Sequence, residues 1–223
     1  MTAQTYFGGS HLPKPYITLE EYLEIDRKGE VKSEYYDGEM YQMAGASLEH
    51  NTIVGNVISE FHSQLKNHSA IVLPGNMRLR IPETRRYAYP DVTVVCSKPE
   101  FDTKEKDVLL NPTILVEVLS DSTEARDRGE KASSYRRIAS LQEYIFINQD
   151  KAKVETYSRK ADGTWVLSEV SGLNGVVKIA SLKCQIAMAE IYDKVALPQN
   201  VFEIVSQPQM QKRGKSRKRT KKD

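Results

Sequence analysis

An α/β (α+β) domain is predicted by three observations. Between residues 48 and 66, Ile53, Val54, Val57, Ile58, Phe61 and Leu65 recur at helical spacing with polar residues between them. The segments TILVEVLS (113 to 120) and QEYIFIN (142 to 148) are nearly continuous apolar runs of strand length, the pattern of strands buried on both faces. The 223 residues suit one such domain with a real core and some extensions, without need of a second.

The elements follow in chain order. In ITLEEYLEID, Thr18 and Glu21 stand at capping-box spacing ahead of Leu19, Tyr22, Leu23 and Ile25, which predicts a short helix ended by Gly29. VKSEYYDGEMYQM reads as a β-hairpin, because the Asp37-Gly38 pair can adopt the positive φ angles of a tight primed turn; Glu34 and Glu39 flank it. Ser47 is the expected N-cap of the long helix over 48 to 66, which puts His50 in its first turn, at the positive end of the helix dipole. AIVLPGNMRLRI and AYPDVTVVC are read as two strands joined through Pro82, Glu83 and Thr84, and Pro90 places Asp91 at a strand start.

KPEFDTKEKDVLLNP reads as a charged connection, and alternation along TILVEVLS sets Leu115, Glu117 and Leu119 on one face, Val116 and Val118 on the other. Asp121 and Glu124, again at capping-box spacing, predict a helix running to about Ala139, weakened at Gly129. It carries Arg126, Arg128, Lys131, Arg136 and Arg137, with Lys131 and Tyr135 on one face. KVETYSRKADGTWVLSEV is a second hairpin with Asp162-Gly163 at its turn, and 173 to 205 read as a short strand and an amphipathic closing helix.

Composition narrows the function classes. Hydrophobic residues at 39% and charged residues at 28% are ordinary for a soluble protein, and no apolar run approaches the roughly 20 residues of a membrane span. The N-terminus shows no basic segment followed by an apolar one, so no signal peptide is expected and the expected location is cytoplasmic. Cys96 and Cys184 are isolated, and His11, His50, His62 and His68 form no zinc pattern with them. The last twelve residues hold eight Lys/Arg and one Asp, leaving 24 basic and 29 acidic residues elsewhere, a body of net charge −5. That run, with Lys212, Arg213, Lys215, Arg217, Lys218 and Arg219, is expected to be disordered, and reads equally as a solubilising terminus and as one that neutralises phosphates.

Asp91 and Glu117 are the anomalies. An unpaired carboxylate costs roughly several kcal/mol to bury, so acids at the start of one apolar strand and inside another need a compensating charge. Asp91 alone reads as a strand-start carboxylate accepting backbone hydrogen bonds, Glu117 alone as the partner of a buried arginine, and Lys131 alone as a solvated helix residue. Together they fit a hard divalent cation such as Mg²⁺ or Mn²⁺ between two carboxylates, with a lysine positioning water or neutralising phosphate charge, the parts of a metal-dependent phosphodiesterase.

The Pro90-Asp91 pair and the Glu117-Val118-Leu119 run resemble the PD-(D/E)XK nuclease superfamily. More closely, YYDGEM (35 to 40), Pro90-Asp91, LVEVLSDST (115 to 123), RDRGEK (126 to 131) with Tyr135, and EYIFIN (143 to 148) are similar to its restriction endonuclease-like family, over roughly residues 15 to 195. The resemblance implies a mixed central sheet flanked by helices, here with N-terminal and C-terminal β-hairpins, and a DNA endonuclease with Asp91, Glu117 and the Val118 backbone carbonyl as metal ligands. Leu119 stands where the superfamily pattern has lysine, and Lys131 takes that role in the closer family. The expected organisation is a flexible segment (1 to 14), the nuclease domain (15 to 205) and the basic tail (206 to 223).

Three further residues are candidates for support. Glu34 could reach the cation through water or hold a cation in the site, His50 could contact phosphate at a helix N-terminus, and Tyr135 could hydrogen-bond the site from one turn beyond Lys131. Their plainer readings are a hairpin surface residue, a cap or packing contact, and a partly buried aromatic. A homodimer is expected by analogy, because cutting both strands of DNA needs a second copy. The competing expectation is a catalytically silent nucleic-acid-binding or interaction module on the same fold.

Overall fold

The computed structural model describes residues 16 to 120 and 124 to 198. The terminal segments and the Asp121 cap lie outside these residues. Helix α1, Leu19–Lys28, has the expected capping box: Thr18 Oγ1 accepts from the Glu21 N–H and Glu21 Oε2 accepts from the Thr18 N–H. It buries Tyr22 and Leu23, and the Tyr22 hydroxyl donates to the Ser33 carbonyl at 2.8 Å, docking the helix on the hairpin β1 (Ser33–Tyr36) and β2 (Glu39–Gln42).

The hairpin turns at Asp37 (φ 40°) and Gly38 (φ 97°), as the Asp-Gly pair predicted. A Cβ on Gly38 would meet the Tyr16 ring. Gly38→Ala is therefore expected to cost about 1–3 kcal/mol, because the positive φ and the contact both act against it; a urea unfolding curve with an unchanged midpoint would contradict this.

Helix α2, Leu48–Gln64, starts at Ser47, whose Oγ accepts from the His50 N–H at 3.0 Å, and buries Ile53, Val57 and Phe61. The two strands expected after it are four. β3 (Ile71–Pro74) and β4 (Arg78–Ile81) are separated by a bend at Gly75 and Asn76; β5 (Arg86–Ala88) and β6 (Val92–Val95) are separated at Tyr89, Pro90 and Asp91. The bends face each other, a Gly75 Cβ standing 3.5 Å from the carbonyls of both Pro90 and Asp91. Pro90 has no N–H for the ladder, so the paired segments cross here from one sheet into another. Asp91 is at that crossing.

One sheet has the order β2-β1-β5-β4-β7, the other β11-β10-β9-β8-β6-β3. β7 is Val108–Leu109, a strand inside the segment expected to be only a charged connection. These two residues are fully buried and pair parallel to β4, and burial of this short apolar run outweighs the polar sequence around it. β8 (Ile114–Leu119) runs antiparallel to β6 and parallel to β9 (Glu143–Asn148). The predicted alternation holds. Val116 and Val118 join the core under α2, while Leu115 and Leu119 join a second core with Tyr135, Tyr144 and Phe146. Glu117 enters from that second face.

The helix expected to reach Ala139 is broken. A single turn, α3 (Glu124–Arg126), leads into a wide π-type turn over Asp127–Lys131, kinked at Gly129 (φ −88°, ψ −106°), and then into α4 (Ala132–Tyr135). Glycine has the weakest helix preference in the stretch, and the chain leaves helical geometry there. The hairpin β10 (Lys153–Arg159) and β11 (Trp165–Ser171) forms as expected, its loop closed by hydrogen bonds between Lys160 and Thr164 and from the Gly163 N–H to the Lys160 carbonyl. The closing segment differs. It is a two-stranded hairpin, β12 (Val176–Ile179) with β13 (Cys184–Ala187), and a single-turn helix, α5 (Met188–Ile191), because Val177, Ile179 and Ile186 alternate as buried strand residues; 199 to 205 lie outside the described residues.

Candidate active site

Glu117 is fixed by two elements at once. The strand β8 points it into the second core, and the kinked segment after β8 carries Lys131 back over it, with Lys131 Nζ 2.8 Å from Glu117 Oε1. Tyr135, one turn further on, donates its hydroxyl to the same oxygen at 3.1 Å. Lys131 also meets Glu34 Oε1 at 3.0 Å and Asp127 Oδ1 at 3.4 Å. Lys131, Glu34, Glu117 and Asp127 are all buried. One ammonium thus lies among three carboxylates.

Asp91 sits nearer the surface, with 19% of its side chain exposed against 5% for Glu117. The β6 to β8 pairing ends with Val92 opposite Val116, and one further step along it sets Asp91 beside Glu117. Asp91 Oδ2 accepts from the Val118 N–H at 2.8 Å and lies 3.2 Å from His50 Nε2. The backbone-accepting reading of Asp91 therefore holds in part. Glu117 is a buried ion-pair member, but its partner is a lysine.

Glu34 is a buried residue and not one of the hairpin surface. Its Oε1 accepts from the Tyr89 N–H at 3.3 Å, and its Oε2 pairs with Arg126. Both of its oxygens are therefore taken. Among the described residues, by contrast, Asp91 Oδ1 and Glu117 Oε2 accept no hydrogen bond. Carboxylate oxygens are the kind of donor a hard cation takes, typically one or two with the remaining positions filled by water or substrate. No group of three or more His, Cys, Asp or Glu side chains among the described residues has a metal-holding arrangement.

Two participants were not singled out in the sequence, Arg126 and Asp127. Asp127 stands four residues before Lys131, a spacing that could have marked it. Arg126 carried no local signal, since its partner Glu34 is 92 residues away. The basic tail from Lys212 to Arg219 lies outside the described residues.

Burial pushes the Glu117 carboxyl up to about 8; the Asp91 and Asp127 charges act in the same direction and Lys131 opposes them. Burial also disfavours the Lys131 ammonium, but Glu117 and Asp127 outweigh it and hold the lysine protonated. Both shifts have one origin, an excess of acid around one cation, and the carboxyl takes up the extra proton. Burial keeps the Tyr135 hydroxyl protonated, so it remains a donor.

A raised folded-state pKa means the folded protein binds the proton more tightly than the unfolded chain. Glu117 thus contributes stability below its ordinary 4.5 that is lost as pH rises through about 8. Chelator-treated protein is expected to lose stability across that interval in urea titrations, and Glu117→Gln to flatten the loss. Parallel pH profiles for the two proteins would count against this assignment.

The comparisons with known proteins concern the family and the fold. A family model, Uma2, described as "Putative restriction endonuclease", matches residues 19–189. An uncharacterized protein of Synechocystis sp. is 34% identical over 167 residues, covering 75% of this chain and 94% of its own. A second from the same organism is 33% identical over 155 residues, covering 70% and 80%. A crystal structure from Anabaena variabilis, titled a "putative nuclease belonging to DUF820", superposes with a TM-score of 0.67 over 81% of this chain and 99% of that one, at 18% identity. That last likeness concerns the fold.

Proposed function

Because the chain belongs to the Uma2 family of restriction endonuclease-like proteins, we propose that it is a metal-dependent endonuclease hydrolysing DNA phosphodiester bonds. The observation that carries this reading is the pair of free carboxylate oxygens, Asp91 Oδ1 and Glu117 Oε2, beside the buried Lys131 ammonium. Mg²⁺ or Mn²⁺ is the cation that fits this donor set, with the Val118 carbonyl as the third ligand the family pattern implies. Bound there, it would supply Lewis-acid charge for phosphoryl transfer.

The side chains divide the remaining work. Tyr135 and Lys131 hold Glu117 Oε1 and leave Oε2 without a described hydrogen bond; His50 and the Val118 N–H hold Asp91 Oδ2 and leave Oδ1 likewise. Lys131, kept protonated by its neighbours, orients the attacking water and neutralises charge on the scissile phosphate, and does not itself remove a proton.

A second reading, a catalytically silent nucleic-acid-binding module, draws on the saturation of Lys131 by three carboxylates. Incubation of supercoiled plasmid and of single-stranded DNA with Mg²⁺ and with Mn²⁺ separates the two. Nicked or linear product that depends on the metal supports the endonuclease; binding without product in either metal selects the silent module. No membrane is involved in either reading, and no described helix is long and apolar enough to cross one.

A further inference from the structure

We infer that Arg126 is a substrate-contacting residue that binds the DNA phosphate backbone together with Lys131. The inference rests on the proposed nucleic-acid substrate and adds the group that recognises it. Glu34 bridges the two cations, one oxygen on Lys131 and the other on Arg126. The separation of two carboxylate oxygens is close to that of two non-bridging phosphate oxygens, so cations that share one carboxylate lie within reach of one phosphate.

Three observations single out Arg126. Its side chain is 34% exposed, whereas Lys131 is 6% exposed, so a phosphate approaching the cation pair meets Arg126 first. Its Nε lies buried without a hydrogen-bond partner, so a turn of the side chain away from Glu34 and toward a phosphate would break no bond at that nitrogen. Its guanidinium stacks over the Tyr41 ring with the charge 4.4 Å from the centroid, which holds the planar fork in one orientation. Glu34 is then a positioning residue, aligning both cations from the hairpin.

The test is binding of the full chain to a fluorescein-labelled duplex in EDTA, where DNA stays intact, as a function of monovalent salt. Arg126→Ala is expected to weaken binding about tenfold, the loss of a charged hydrogen bond, and to lower the log–log salt slope by about 0.9, the value for one phosphate contact. Arg126→Lys keeps one charge but not the fork, so the slope is retained while affinity falls. Arg27→Ala, which removes an arginine paired with Glu105 and Asp107, changes neither.

A wild-type slope and affinity in Arg126→Ala, or an equal loss in Arg27→Ala, would overturn the inference, as would failure of the wild-type chain to bind. If Arg126→Ala does not fold, unchanged affinity in Arg126→Lys overturns it. A lowered slope with no plasmid cleavage in any metal leaves the phosphate contact standing and removes the hydrolytic reading. Cleavage with an unchanged slope does the reverse.

Discussion

Asp91→Asn and Glu117→Gln are each expected to lower metal-dependent plasmid cleavage by about a hundred- to a thousandfold while leaving the protein folded. Each substitution preserves shape and replaces a carboxyl that can ionise onto the proposed cation with an amide that cannot. Asp91 is half-buried at the bend between the sheets, so its replacement disturbs little packing. Glu117→Gln relieves excess acid around Lys131, since Glu34 and Asp127 remain to pair with it. Its melting temperature without metal is therefore expected to equal or exceed that of wild type, a common consequence of removing a functional charge. With millimolar Mn²⁺ the wild type should melt at higher temperature and both variants should not respond. Cleavage at wild-type rates in either variant would remove that acid from the reaction.

Lys131→Met is expected to have the largest effect on stability, a loss of about 3–5 kcal/mol, the usual cost of stripping one partner from a buried ion pair. The physical reason is specific. Glu117 would keep only the Tyr135 hydroxyl, Asp127 would lose its described cation, and Glu34 would keep Arg126. Adding Glu117→Gln to Lys131→Met should recover part of the loss, because a neutral amide needs no counter-charge, and the two changes should couple by more than about 0.5 kcal/mol. Strict additivity in urea unfolding would mean that the 2.8 Å pair contributes nothing to the folded state. The instability of the single variant also means that its lost cleavage says nothing of catalysis until folding has been verified.

Much of the architecture was legible in local chemistry. The capping box at Thr18 and Glu21, the Asp37-Gly38 turn, the Ser47 cap and the alternation of β8 depend on residues within a few positions of one another, and each has the structure its spacing implies. Two of the failures share a cause. The long strand segments break at Gly75 and Pro90 because two sheets must meet there; Val108 and Leu109 pair as a strand because β4 lies beside them; the helix kinks at Gly129. The partners that break the strands and pair β7 lie outside their own segments, so no periodicity announces them, whereas the weak point at Gly129 was legible and only the extent of the break was not.

The same division runs through the site. The sequence by itself determined that Asp91 stands at a strand start and that Glu117 lies on the face of Leu115 and Leu119, because a strand's period of two is a property of its own backbone. Only the tertiary structure decided that Lys131 returns over Glu117, that Glu34 is buried beneath it and that Arg126 closes the group from outside. Those contacts join residues from 14 to 97 positions apart. Their existence depends on the direction in which a kinked helix leaves its strand, a direction that brings Arg126 and Lys131 to Glu34 and Tyr41 of a hairpin much earlier in the chain.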